Sequence, residues 1–88
     1  MKREELLEWG LNDAIVFDNP EYDEAIIGFD VSGGRVIYDY NKMVDYLVRK
    51  EGISEEEAED FISYNTIRAC PYMGEKAPII MWRLDEDK

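Results

Sequence analysis

Segment 39–57 constrains the fold most, because it carries the start and end signals of two consecutive helices. Asp39 is a residue type that caps helix N-termini. The next apolar side chains fall at positions i, i+3, i+4, i+7 and i+8, namely Tyr40, Met43, Val44, Leu47 and Val48. Gly52 supplies the left-handed residue that ends such a helix, and Ser54 with Glu57 forms a capping-box sequence that starts another. The sequence therefore predicts two amphipathic helices joined at a tight corner.

The segment before this corner predicts a β-hairpin. Residues 25–31 (AIIGFDV) and 35–39 (RVIYD) are rich in strand-forming residues, and Ser32-Gly33-Gly34 between them can supply the positive φ angles of a tight turn. Gly28 inside the first strand marks either a bulge or the close approach of another chain segment.

The second helix of the corner leads into residues 64–80, YNTIRACPYMGEKAPII. At about 100° per residue, one stripe of this helix holds Ala58, Phe61, Ile62, Asn65 and Ala69. Asn65 thus falls on the apolar side, where it either bonds backbone groups of the following loop or caps the helix in a left-handed conformation. Pro71 ends the helix no later than Ala69, and residues 79–84 (IIMWRL) predict a last strand.

Two weaker patterns lie near the N-terminus. Residues 2–9 predict a short helix with Leu6 and Leu7 as its apolar contacts and Gly10 as its left-handed end. Residues 14–17 form an apolar run that is either a short strand or a buried loop.

Together the patterns predict a single α+β domain over residues 1–88. It consists of a small antiparallel sheet, made of the hairpin and the C-terminal strand, with the two-helix corner packed on one face and a short N-terminal helix.

Charge limits the partners of this chain. Its 88 residues include 21 acidic and 10 basic side chains, which gives a formal net charge of −11. Such a chain repels nucleic acids and anionic membranes and is attracted to basic protein surfaces; the acidity can equally serve solubility alone. No apolar run is long enough for a signal peptide or a membrane span, and a single cysteine fits a reducing compartment, so we expect a cytoplasmic protein.

The residue inventory also restricts the chemistry. The absence of histidine excludes Ser-His-Asp and Cys-His catalysis and every histidine-based metal site. Cys70 lacks the partner that most often activates a thiol, and a packing role is expected. The acidic stretch around Pro20 does not keep the alternating ligand spacing of a calcium loop. We therefore expect no enzyme activity, no cofactor and no metal site.

Three stretches carry a resemblance to a known family: FDNPEYDEAIIGFD, GRVIYDYNKMVDYL and EEAEDFISYNTIRACPYMGEKAPIIM. Over about residues 17–81 the chain resembles a family of small uncharacterised proteins of Gram-positive bacteria and their phages and prophages, and YNTIRACPYMGEKAPIIM is the most specific part. The usual family member has Leu where Cys70 stands here, which argues against a catalytic thiol. The resemblance implies a phage or mobile-element setting and no particular activity.

These observations lead to two hypotheses of different kinds. The first is a non-enzymatic acidic protein that binds and inhibits a host nucleic-acid-handling or defence protein through a basic surface of that partner. Its expected contact residues are Glu51, Glu55, Glu56, Glu59, Asp60, Glu21, Asp23 and Glu24. The second is a small-molecule or nucleotide-binding module that uses the pocket between the 64–76 loop and the hairpin, with Asn65, Arg68 and Tyr72 as polar contacts.

Overall fold

The computed structural model describes residues 3–11, 13–18 and 20–84. The α-helices in this part of the chain are α1 (Arg3–Glu8), α2 (Tyr40–Glu51) and α3 (Glu55–Phe61), and a π-helical segment, Ile62–Ile67, continues α3. The strands are β1 (Ile26–Phe29), β2 (Val36–Asp39) and β3 (Ile79–Met81). Short 3₁₀ turns cover Asp23–Ala25 and Cys70–Tyr72. The α+β class predicted from the sequence is confirmed.

The two-helix corner forms from the local signals that predicted it. The Asp39 carboxylate accepts a hydrogen bond from the Lys42 backbone N–H at 3.2 Å, which caps α2. Gly52 ends α2 at φ +69°, a conformation that favours glycine. Both bonds of the capping box at α3 are present, from the Glu57 N–H to Ser54 Oγ at 3.1 Å and from the Ser54 N–H to Glu57 Oε1 at 3.0 Å. Three of the five predicted apolar positions of α2, namely Met43, Val44 and Leu47, are buried.

The hairpin is also confirmed, with shorter strands than predicted. β1 and β2 pair antiparallel, and the register shifts between Ile26 and Gly28, so Gly28 marks a bulge. In the turn, the Asp30 carboxylate accepts hydrogen bonds from the Gly33 N–H at 2.7 Å and from the Ser32 hydroxyl at 3.1 Å. Gly34 takes the left-handed conformation at φ +72°, while a Cβ on Gly33 would lie 2.7 Å from the Asp30 carboxylate. Asp30 and the two glycines together therefore fix this turn.

The C-terminal strand corrects one part of the prediction, because β3 pairs parallel with β2 and the three-stranded sheet is mixed. The physical reason is the path of residues 40–78, which form a long crossover from the end of β2 back to its start. Two hydrogen bonds fix the return: Arg35 Nε donates to the Ala77 carbonyl at 2.6 Å, and Lys76 Nζ donates to the Gly33 carbonyl at 2.7 Å. The chain thus enters β3 beside the beginning of β2 and runs in the same direction.

The π-helical segment corrects the prediction for Asn65, whose side chain is exposed and whose conformation is not left-handed. The residues that are buried are Ala58, Ile62 and Thr66. Their spacing of four residues is wider than the turn of an α-helix, and the π turns accommodate it. The wider turn rotates Thr66 inward and Asn65 outward, where the Asn65 amide donates to the Phe61 carbonyl at 3.1 Å.

The N-terminal segments lie against the same core. In α1, Leu6 is buried, whereas Leu7 is exposed and does not make the predicted contact; the predicted start at Lys2 lies outside the described residues. Gly10 has the expected positive φ of 78°. Residues 14–17 are a loop and not a strand. Phe17 in this loop is buried, and its N–H donates to the Tyr38 hydroxyl at 3.0 Å.

Candidate functional site: an acidic groove at the helix corner

The segment 20–25 is held against α2 by one buried aromatic side chain. Tyr22 is completely buried, and its ring lies 5.7 Å from that of Tyr46 on α2 and 6.5 Å from that of Tyr38 on β2. The Glu24 carboxylate also forms an ion pair with the Arg49 guanidinium of α2. Because the core fixes Tyr22, the acidic residues on either side of it have defined positions beside the helix corner.

A groove of about 690 Å³ opens where this segment meets the corner. We call it the acidic groove; its lining residues are Asp18, Pro20, Glu21, Tyr46, Leu47, Lys50, Glu51, Ile53 and Phe61. The aromatic and aliphatic side chains form an apolar lining, and three carboxylates with one ammonium group supply the charge. The groove therefore combines apolar contact area with a net negative charge.

The structure brings some of the predicted contact residues together and separates others. Glu21 and Glu51, which are 30 positions apart in the sequence, line the same groove. The four residues of α3 that were expected contacts are exposed but lie outside the groove lining: Glu55, Glu56, Glu59 and Asp60. Glu24 is paired with Arg49, and Asp23 is half-buried. The core of the candidate site is therefore smaller than the eight residues predicted.

Only two of the nine residues that line the groove, Glu21 and Glu51, were among the expected contacts. Asp18 lies in an acidic stretch but was not among them, and neither was Phe61. Phe61 was placed on the apolar stripe of α3, yet it is partly exposed and lines the groove. No signal in the sequence marked this position, because the predicted helix continued past Phe61 towards Ala69 and Phe61 lay on its apolar stripe.

The residues of the alternative site share one shallow surface depression of about 560 Å³. Asn65, Arg68 and Tyr72 line it together with Tyr64, and the Arg68 guanidinium lies 6.0 Å from the centre of the Tyr64 ring. The lining of this depression includes no residue of the hairpin, so these three residues do not share the predicted pocket between the loop and the hairpin. The space between the 64–76 loop and the hairpin is lined by other side chains, including Arg35 and Ile67.

Cys70 has the environment of a packing residue. Its thiol donates to the Thr66 carbonyl at 3.5 Å and packs against the core. Burial raises the pKa of the Cys70 thiol, and the positive charge of Arg35 only partly opposes this effect. Within residues 3–11, 13–18 and 20–84, no cluster of three acidic or cysteine side chains is arranged to hold a metal ion.

Comparisons with protein-family models, with curated proteins and with solved structures found no match for this chain. In the described part of the chain, no helix has both the length and the apolar character required to span a membrane. The features of this chain that bear on its function are therefore the geometry of the acidic groove and of the surfaces around it.

Proposed function

We propose that this chain is a non-enzymatic interaction protein that docks on a basic surface of a protein partner, with the acidic groove at the centre of the contact. The observation that carries the proposal is the convergence of Glu21 and Glu51 from separate segments on one groove with an apolar lining. Carboxylates on one helix recur only once per turn of about 5.4 Å. Acids from a second segment broaden the negative surface in the way a basic partner requires.

The chemistry of the groove fits a lysine or arginine side chain of the partner. The aliphatic stem of such a side chain can pack on Tyr46 and Phe61, while its charged end reaches the carboxylates of Glu21 and Glu51. An aromatic wall adds a cation–π contribution. The exposed acids of α3 then extend the negative surface beyond the groove and increase the rate of encounter.

The partner class follows from the same charge argument. Nucleic-acid-handling proteins carry grooves of Lys and Arg that neutralise phosphates, and an acidic protein docked there would exclude the nucleic acid. Together with the resemblance to phage and prophage proteins, this favours a host nuclease or another defence protein, whose activity the complex would inhibit. The family setting and the inhibition are both part of the proposal.

The test uses the tagged protein as bait in a nuclease-treated lysate of a Gram-positive host, followed by binding to the purified partner. The variant Glu21→Gln/Glu51→Gln removes two charges from the groove, and Glu4→Gln/Glu5→Gln removes two exposed charges from α1. At about 0.2–1 kcal/mol for each exposed pair, the groove variant should bind about 2- to 30-fold more weakly, and the α1 variant should bind unchanged.

Two further readouts complete the test. Added DNA should displace the protein from its partner, and the partner's activity on nucleic acid should fall when this protein is added. The proposal is refuted if both variants bind equally well, or if DNA and this protein bind the partner at the same time.

The three residues of the shallow depression keep a second candidate function open, because Asn65, Arg68 and Tyr72 do lie together. A nucleotide or another small anion would contact Arg68 there. Thermal denaturation with a panel of nucleotides tests this candidate, since a ligand that binds only the folded state raises the melting temperature. A shift that Arg68→Ala abolishes would support it, and no shift with any nucleotide would remove it.

A further inference from the structure

β3 forms an edge of the three-stranded sheet. The strand order is β1-β2-β3, and within the described residues no strand pairs with the side of β3 that faces away from β2. An edge strand presents backbone N–H and C=O groups on its outer side, and an extended segment of another chain can pair with them.

Beside this edge lies a groove of about 530 Å³ with a largely apolar lining, which we call the β3 groove. Its lining residues are Arg35, Tyr40, Ile67, Cys70, Pro78, Ile79, Ile80 and Trp82. It shares no lining residue with the acidic groove. Ile67 of the π-helical segment is 42% exposed, and the largely exposed Trp82 stacks on Tyr40 with ring centres 5.5 Å apart. A segment paired with β3 would therefore place every second side chain on an apolar surface.

Within the described part of the chain, the one charged side chain in the lining of the β3 groove is Arg35, whose Nε already donates to the Ala77 carbonyl, and two carboxylates lie near the end of the groove at Tyr40. Burial raises the pKa of the Tyr40 hydroxyl, and the nearby carboxylates of Glu59 and Asp60 raise it further. This end therefore favours a basic residue. A second copy of the chain is a poor occupant, because each copy carries a net charge of −11.

We propose that the β3 edge and the β3 groove are a docking site for an extended segment of a partner protein, in which apolar side chains alternate with polar ones and a basic residue flanks them. The segment adds a fourth strand to the sheet, its apolar side chains pack on Ile67 and Ile80, and its basic residue lies beside Glu59 and Asp60. The site goes beyond the proposed function, because it uses a different surface and recognises main chain as well as charge.

The test titrates the isotope-labelled protein with three blocked peptides and follows its amide signals by NMR. The first peptide is KVTVTVK, the second is EVTVTVE, and the third is KVPVPVK, which keeps the charge but loses two N–H donors. The first should shift the signals of residues 67, 79–81 and 82 saturably. The second should bind at least about threefold more weakly, because its glutamates would lie near the carboxylates of Glu59 and Asp60. The third should bind more weakly than the first, because its prolines cannot donate backbone hydrogen bonds to β3.

Matched protein variants locate the site. Ile67→Lys puts a positive charge in the groove, and Val31→Lys makes the same charge change at a hairpin position that is 95% exposed. The first should lose binding of KVTVTVK and the second should retain it; Trp82→Ala replaces Ile67→Lys if that variant does not fold. Glu21→Gln/Glu51→Gln should leave the peptide affinity unchanged, which separates this site from the acidic groove.

Three results would overturn the proposal. One is the absence of saturable shifts at residues 79–81 with KVTVTVK. Another is equal binding of KVTVTVK and KVPVPVK, which would show that no strand pairing occurs. The last is a dimer in sedimentation velocity that Ile67→Lys dissociates, because a second copy would then occupy the edge.

Discussion

Thr66 is the residue whose substitution tests the π-helical segment most directly. It is only 6% exposed, and its hydroxyl lies 3.4 Å from the hydroxyl of the completely buried Tyr22. Thr66→Val keeps the shape of the side chain and removes the hydroxyl. The Tyr22 hydroxyl then loses this partner inside the core.

The expected cost follows from that geometry. An unsatisfied buried polar group costs about 1–3 kcal/mol. The oxygen–oxygen distance of 3.4 Å is longer than that of a strong hydroxyl hydrogen bond, so the lower end of the range, about 1 kcal/mol, applies. For a domain of this size that corresponds to a fall in melting temperature of about 4–8 °C. Asn65→Ala, at the exposed neighbouring position, should change the free energy of unfolding by about 0.5 kcal/mol or less.

The assay is urea denaturation of a double-mutant cycle followed by circular dichroism. Thr66→Val and Tyr22→Phe should each destabilise the protein, and the double variant should be less destabilised than the sum of the two, because it leaves no unpaired hydroxyl. The reasoning is refuted if Asn65→Ala costs more than Thr66→Val. That result would mean that the segment is α-helical and that Asn65 faces the core, as the periodicity predicted.

Two other predictions concern local structure. Ser54→Ala removes the acceptor of the Glu57 N–H and should lower the free energy of unfolding by about 1 kcal/mol; urea denaturation measures this, and an unchanged midpoint would contradict the capping box. The second concerns Asp30, whose pKa is held below its ordinary value mainly by the Gly33 N–H. Because the folded pKa is lowered, its stabilising effect is complete above the unfolded pKa of about 3.9 and is lost as pH falls through the folded pKa. Asp30→Asn should remove this part of the acid dependence of the melting temperature, and identical acid profiles would contradict it.

The parts of the fold that were predictable are those specified by neighbouring residues. The helix corner depends on Asp39, Gly52 and the Ser54–Glu57 box, and each of these acts within a few positions of itself. The hairpin likewise depends on a local turn. Such signals are readable in one sequence because the partner of each hydrogen bond lies close by in the chain.

The direction of β3 was not predictable, because the contacts that fix it are distant in sequence. Arg35 bonds the Ala77 carbonyl across 42 positions, and Lys76 bonds the Gly33 carbonyl across 43. Nothing in the composition of either segment specifies these partners. The π-helical segment was not predicted for another reason. The prediction assumed the fixed rotation per residue of an α-helix, and the spacing of the buried residues from Ala58 to Thr66 departs from that rotation.

The acidic groove also has a part that was predictable from the sequence and a part that was not. That Glu21 and Glu51 are exposed acids was predictable from residue type alone. Their meeting in one groove was not, because it depends on Tyr22, which anchors its segment among Tyr38 and Tyr46. Exposure is a local property, whereas convergence is a property of the tertiary fold.

The net charge of −11 predicts opposite effects of salt on stability and on partner binding. Arg49–Glu24 and Lys76–Asp13, the latter at 3.8 Å, are ion pairs among the described residues, and pairing of this kind does not change the large excess of negative charge. Salt screens the repulsion between the carboxylates, so the melting temperature should rise between about 20 and 300 mM NaCl. The same screening should weaken the proposed complex with a basic partner. If the melting temperature rises with salt, release of the partner by salt does not result from unfolding. A melting temperature that falls with salt would contradict this prediction, because it would show that the carboxylates are held by favourable interactions within the protein and are not available to a partner.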